Sequence, residues 1–158
     1  FSFYTRGMSF IDMAYLKKSD LKNGVIIYRR RKTGQQLTIK WEKCMEDIIS
    51  KYDGCSTTQY LLPIITNPCA DERTQYRNAI SRINVALKEV ARLAGLNMPL
   101  TMHCARHCWA SIAKSKNIPL SVISEGMGHD SEETTRIYLA SLDTNVVDKA
   151  NSLILKDL

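Results

Sequence analysis

The chain has 158 residues, 44% apolar and 24% charged, with 22 Lys and Arg against 16 Asp and Glu for a formal charge of +6. That length suits one domain with its own core, and the composition is that of a globular chain rather than a repetitive or low-complexity one. No apolar run approaches membrane-spanning length and no signal peptide is visible, so a membrane partner is not expected; the modest basic excess favours a polyanionic partner such as nucleic acid.

Taken in chain order, Phe3 to Leu16 reads as a helix, with Phe10, Met13 and Ala14 on a shared face. Asp20–Leu21 suits a short strand. Val25 to Tyr28 and Gln36 to Ile39 are β-rich runs joined by Arg30-Arg31-Lys32-Thr33-Gly34, a hairpin signal with a basic tip. Trp41 to Tyr52 is amphipathic, and Gly54 to Ala70 reads as a loop around the island Leu61-Leu62-Pro63-Ile64-Ile65. Asp71 to Ala94 is the clearest helix, its stripe running from Tyr76 through Ile80, Ile83, Leu87 and Val90, with Gly95 placed as a C-terminal cap. Helices are expected over His103 to Lys116, Leu120 to Met127, Glu132 to Ala140 and Asn145 to Leu155. The sum is an α+β chain, mostly α: a helical domain with a small antiparallel sheet near its N-terminus. Five cysteines (Cys44, Cys55, Cys69, Cys104 and Cys108) fit no disulfide framework and suit a reducing compartment, hence the cytoplasm. The chain opens at Phe1, without an initiator Met, as the C-terminal part of a longer protein would.

Several residues between Met102 and Tyr138 can carry chemistry. His103 and Arg106 stand at i and i+3, so on a helix they project from one face. Arg106 can fork onto two phosphate oxygens, and His103 can donate a hydrogen bond or move a proton near neutral pH. The same pair also suits a helical core, satisfying backbone carbonyls. His103 with His107, and Cys104 with Cys108, have i, i+4 spacing, but the two pairs point about 100° apart on a helical wheel. No third ligand completes either pair, so no metal site is expected, and Cys108, Trp109 and Ile112 are assigned to the core. Gly128-His129 sits in a glycine-flanked turn before a helix, and Tyr138 follows nine residues later. At the hairpin, Lys32 can reach a bound backbone and give a proton to a leaving alkoxide, while Arg29, Arg30 and Arg31 can bind phosphates. A plain solvated charge run is the alternative. Arg6 could add a second guanidinium, oriented by Asp12.

The ordered set His103-x-x-Arg106-His107, Gly128-His129 and Thr135-x-x-Tyr138, with Lys32-Thr33-Gly34 upstream, resembles the catalytic domain of the tyrosine recombinases, the integrases of phages and mobile elements. The wording Arg6-Gly-Met-Ser-Phe-Ile-Asp looks like integrases of conjugative or mobilisable elements. The resemblance runs from about Arg6 to Tyr138 and implies the DNA breaking-rejoining fold. It implies Arg6, Lys32, His103, Arg106, His129 and Tyr138 as catalytic residues, with Arg29, Arg30, Arg31 and His107 binding DNA. It further implies a 3′-phosphotyrosine intermediate formed without metal or ATP, an absent N-terminal core-binding domain, and a monomer that becomes a homotetramer on double-stranded DNA in the bacterial cytoplasm. The apolar stripe within 143–158 would be a tail helix docking on its own domain or on a neighbouring protomer. One departure concerns the first arginine. The family places it three residues before an acidic residue, a slot held here by Ser9 before Asp12. Either Arg6 reaches the phosphate from one turn earlier, or an arginine of Arg29 to Arg31 supplies the charge. Type IB topoisomerase-like relaxation and a non-catalytic DNA-binding regulator are the other readings of the same residues.

Overall fold

The computed structural model describes residues 1–55 and 58–140. The expected tail helix over 143–158 lies outside the described residues. The elements run α1 (Phe10–Ala14), β1 (Leu21–Lys22), β2 (Val25–Arg29), β3 (Gln36–Lys40), α2 (Lys43–Ile49), α3 (Glu72–Leu93), α4 (Cys104–Ser115), α5 (Leu120–Met127) and α6 (Glu132–Ala140). The three strands form an antiparallel sheet in the order β1-β2-β3, so the expected α+β architecture with a small N-terminal sheet is the one observed. None of the described helices is long and apolar enough to cross a membrane.

The helix expected over Phe3 to Leu16 is confined to five residues. Arg6 and Gly7 both have positive φ, 58° and 74°, which ends any helical path before Met8. Ser9 then caps α1 through its hydroxyl, which accepts from the Asp12 N–H and donates to the Asp12 carboxylate. The amphipathic stretch from Trp41 also shortens. Trp41 lies before α2, and Ser50–Tyr52 tightens into a 3-10 turn. In contrast, α3 starts and stops where its caps say it should. Asp71 accepts from the Thr74 N–H, worth about 1 kcal/mol, and Gly95 follows at φ 66°.

The sheet sets the register of the basic hairpin. Ile26 pairs with Ile39, Tyr28 with Leu37 and Arg29 with Gln36. Side chains alternate along a strand, so Ile26 and Tyr28 face the core while Ile27 and Arg29 face out. Arg30, one step past β2, continues the inward series and is 6% exposed. Ile26, Leu37 and Ile39 pack with Met8, Met13, Leu16, Met45 and Leu62 into one core. A second core joins Ala110 and Ala113 of α4 to Ile123 and Met127 of α5 and Leu139 of α6, with Trp109 and Tyr138 against it. Each fully buried aliphatic side chain here contributes roughly 1.5–3 kcal/mol. The inward face of α4 is therefore Arg106, Ala110 and Ala113. Cys108 and Ile112, expected in the core with Trp109, are exposed. The alanines let α4 sit close to α5, and the bulkier neighbours turn outward.

Candidate active site

The two cores meet at Arg106. It is buried, and its guanidinium is held by two backbone carbonyls and one imidazole from distant segments. Nη1 donates to the Gly7 carbonyl at 2.8 Å, and Nη2 donates to the Met127 carbonyl at 2.7 Å and to His129 Nε2 at 3.0 Å. Gly7 is required here twice over. Its φ is positive, and a Cβ on it would fall 2.8 Å from Arg106 Cα and Cγ.

A cavity of about 180 Å³ opens beside this arginine. Arg30, Lys32 and Thr33 reach it from the hairpin, His103 from the N-cap of α4 and Arg106 from its first turn, His129 and Asp130 from the turn after α5, and Thr134 and Tyr138 from α6. Five of the six residues expected to be catalytic thus line one hollow. Arg6 is not among its lining residues; its side chain runs past Gly126, with Cδ 3.6 Å from where a Cβ of that glycine would stand. The inward guanidinium from the hairpin is Arg30. Its Nη1 donates to the Gly128 carbonyl, which also accepts from Thr33 Oγ1. Its Nε is buried without a hydrogen-bond partner among the described residues. The strand alternation through Ile26 and Tyr28 was the signal that separates Arg30 from its neighbours. Arg29 bonds the Gly34 carbonyl on the outer side, while Arg31 lays its guanidinium 3.7 Å from the centroid of the Tyr15 ring. Asp12 fixes this hairpin from below, accepting the Arg31 N–H at 2.9 Å.

Gly128 caps α5 in the left-handed conformation, and the His129 N–H returns to the Ser124 carbonyl. That cap aims the imidazole at Arg106. A guanidinium only donates, so His129 Nε2 accepts, and its Nδ1–H donates to Thr135 Oγ1 at 2.8 Å. Burial, followed by Arg106, Arg30 and Lys32, holds His129 down to about 4. Burial and then His107, Arg106, Lys32 and Arg30 also lower His103. Arg106 itself falls to about 10, through burial and the Arg30 charge, and stays cationic at neutral pH. The site is an excess of positive charge whose imidazoles are kept neutral, a fit for an anion rather than for another cation.

The expected consequence for stability follows the sign of that shift. His129 takes up a proton below about 4 when folded and near the ordinary 6.5 when unfolded. The unfolded state therefore gains protons first, and stability falls as pH drops from 6.5 towards 4. Discounted for solvent screening, the loss between pH ~7 and ~5 is about 1 kcal/mol. Urea unfolding of wild type and His129→Gln at both pH values measures it; the variant should lose less, and an equal loss would contradict the assignment.

His107, expected to bind DNA, does not line the cavity. Its ring lies nearly parallel to that of Tyr138, centroids 5.2 Å apart, and its Nδ1 is 2.8 Å from Tyr138 Oη. Tyr138 is half-buried on α6, with His129 and His103 ring centroids at 5.6 and 6.5 Å. Burial pushes its phenol up to about 12. Nothing in the local sequence marks this contact, because its two partners stand 31 residues apart.

This small sheet on a helical body has the fold of site-specific recombinases of known structure. XerA recombinase superposes with a TM-score of 0.65 at 19% identity, over 96% of this chain and 53% of that one. XerH recombinase bound to its difH substrate before cleavage gives 0.64 at 19% identity, over 96% and 42%. A lambda integrase fragment, solved as a dimer on a COC′ core site, gives 0.56 at 17% identity, over 87% and 49%. The chain thus spans about half the length of these proteins or less. No curated protein matches it. The family model of the phage integrase family matches residues 3–145, and the chain belongs to that family, the tyrosine recombinases.

Proposed function

We propose that this chain is the catalytic domain of a site-specific recombinase that cuts and rejoins double-stranded DNA through a 3′-phosphotyrosine intermediate. The observation that carries this reading is the convergence of Arg30, Arg106, Lys32, His103, His129 and Tyr138 on one phosphate-sized hollow. Tyr138 Oη attacks the scissile phosphorus, and the bond to the 5′-oxygen breaks. Arg30 and Arg106 balance the charge that builds on the non-bridging oxygens, the largest electrostatic demand of the step. Arg30 lines the hollow, which puts its guanidinium beside those oxygens. Neutral His129 acts as an acceptor that orients Arg106, and His103 at the rim donates to the phosphate. Lys32 protonates the departing 5′-oxygen. The ester energy is kept in the tyrosyl bond, so a 5′-hydroxyl of another strand can reverse the step with neither ATP nor metal. Arg29 and Arg31, outside the hollow, bind neighbouring phosphates. A free monomer assembles as a homotetramer on paired sites, in the bacterial cytoplasm.

The test is a nicked suicide substrate in EDTA, with the covalent product digested and its DNA-bearing peptide identified by mass spectrometry. The peptide containing Tyr138 is expected. Attachment elsewhere, or salt-dependent binding with no adduct, would reject the reading, and the latter would support a DNA-binding regulator on the same fold. Lys32→Ala should slow cleavage by about 10²–10⁴-fold. A 5′-bridging phosphorothiolate, whose sulfur leaves unprotonated, should recover most of that loss; failure to recover counts against Lys32 as the acid.

A further inference from the structure

The phenol of Tyr138 must lose a proton as its oxygen bonds to phosphorus, and burial makes it a poor acid. Three imidazoles surround it. Both ring nitrogens of His129 are engaged, by Arg106 and by Thr135. The exposed His103 ring stands at the rim of the cavity, its centroid 6.5 Å from the Tyr138 ring. His107 bonds Tyr138 Oη directly through Nδ1 at 2.8 Å, and it does so from outside the hollow that would hold the phosphate. A group touching the attacking oxygen while staying clear of the anion has the placement of a base. We propose that His107 is a further catalytic residue, the base that takes the Tyr138 phenolic proton as Oη attacks phosphorus. This rests on the nucleophile assigned to Tyr138 above.

The step balances. The Oη–H bond breaks and its proton passes to His107 Nδ1; the Oη–phosphorus bond forms; the phosphorus–O5′ bond breaks and O5′ receives the Lys32 proton. Rejoining runs in reverse, with the imidazolium returning its proton to the departing phenolate. The groups facing His107 are Arg106 and His103 on α4 and Tyr138 on α6, with Cys104 and Cys108 close to the phenol. Burial and the Arg106 charge lower the imidazole, so it is neutral and able to accept at pH 7.

The experiment follows single-turnover adduct formation by the full chain on the nicked substrate from acid to neutral pH. His107→Asn can keep a hydrogen-bond acceptor near the phenol but cannot take its proton. It should cleave about 10²–10³-fold more slowly and lose the acid limb of the wild-type pH profile. In His107→Gly, added imidazole should restore at least about tenfold of the rate, a gain that a purely structural histidine would not give. An acid limb unchanged in His107→Asn overturns the assignment, whatever the rate. An adduct that still forms in Tyr138→Phe defeats the underlying reading instead, so the two failures are distinguishable.

Discussion

Tyr138→Phe should form no covalent complex with DNA. Removing one oxygen deletes the only group that the proposed chemistry joins to phosphorus, so the loss is at least about 10⁴-fold, a size seen when a nucleophile is removed from an otherwise intact site. The ring stays, and with it the packing against the core of Ala110, Ala113, Ile123, Met127 and Leu139. The Oη bond to His107 that is lost with the oxygen is worth about 0.5–1.5 kcal/mol. The variant should therefore fold and retain DNA binding, which separates lost chemistry from lost structure. Denaturing gels of a trapped substrate, beside salt-dependent binding curves, measure both. A normal yield of adduct would assign the nucleophile elsewhere.

The second large effect distinguishes two arginines. Arg30→Ala should lower the cleavage rate by about 10²–10³-fold, the usual cost of one preorganised donor at a developing charge. Arg30→Lys should recover little, because an ammonium cannot span two phosphate oxygens while also bonding the Gly128 carbonyl. Arg6→Ala should stay within about fivefold of the parent, since Arg6 lies outside the cavity lining. Rates of adduct formation for the three variants decide the matter. A crippled Arg6→Ala beside a mild Arg30→Ala would return the role to Arg6, the position that the family resemblance suggested.

The contrast between Arg6 and Arg30 shows where sequence was and was not readable. Helices α3 and α5 and the β2–β3 hairpin carry their own periodicity and caps, and they lie close to their expected positions. Sequence order alone was enough to bring Lys32, His103, Arg106, His129 and Tyr138 under suspicion, because each stands in a recurring local motif. Periodicity failed at Phe3 to Leu16, where Arg6 and Gly7 both take positive φ and Arg106, 99 residues on, packs against Gly7. It failed again on α4. The buried stripe there is set by which neighbours α5 and α6 can accept, so small alanines go inward while Cys108 and Ile112 face out. On α3 the expected stripe is open at its C-terminal end, where Val90 is exposed, and Val85 and Leu93 off the stripe are exposed too. The inward turn of Arg30 was legible through the pleat of β2, but a run of three arginines hides it from any motif. The local motif singled out His107 but not its contact with Tyr138, because that partner arrives with a different helix.

The bonds that steady the two inward guanidiniums join residues far apart in the chain: Arg106 to Gly7 across 99 positions, and Arg30 to Gly128 across 98. Such long closures come late in folding, after the local helices have formed. A chain frayed at its first residues would keep the tyrosine and its helix but lose the Gly7 carbonyl that steadies Arg106, a charge the proposed chemistry needs. On the proposed reading, cleavage would wait until Gly7 and Gly128 have each met their arginine.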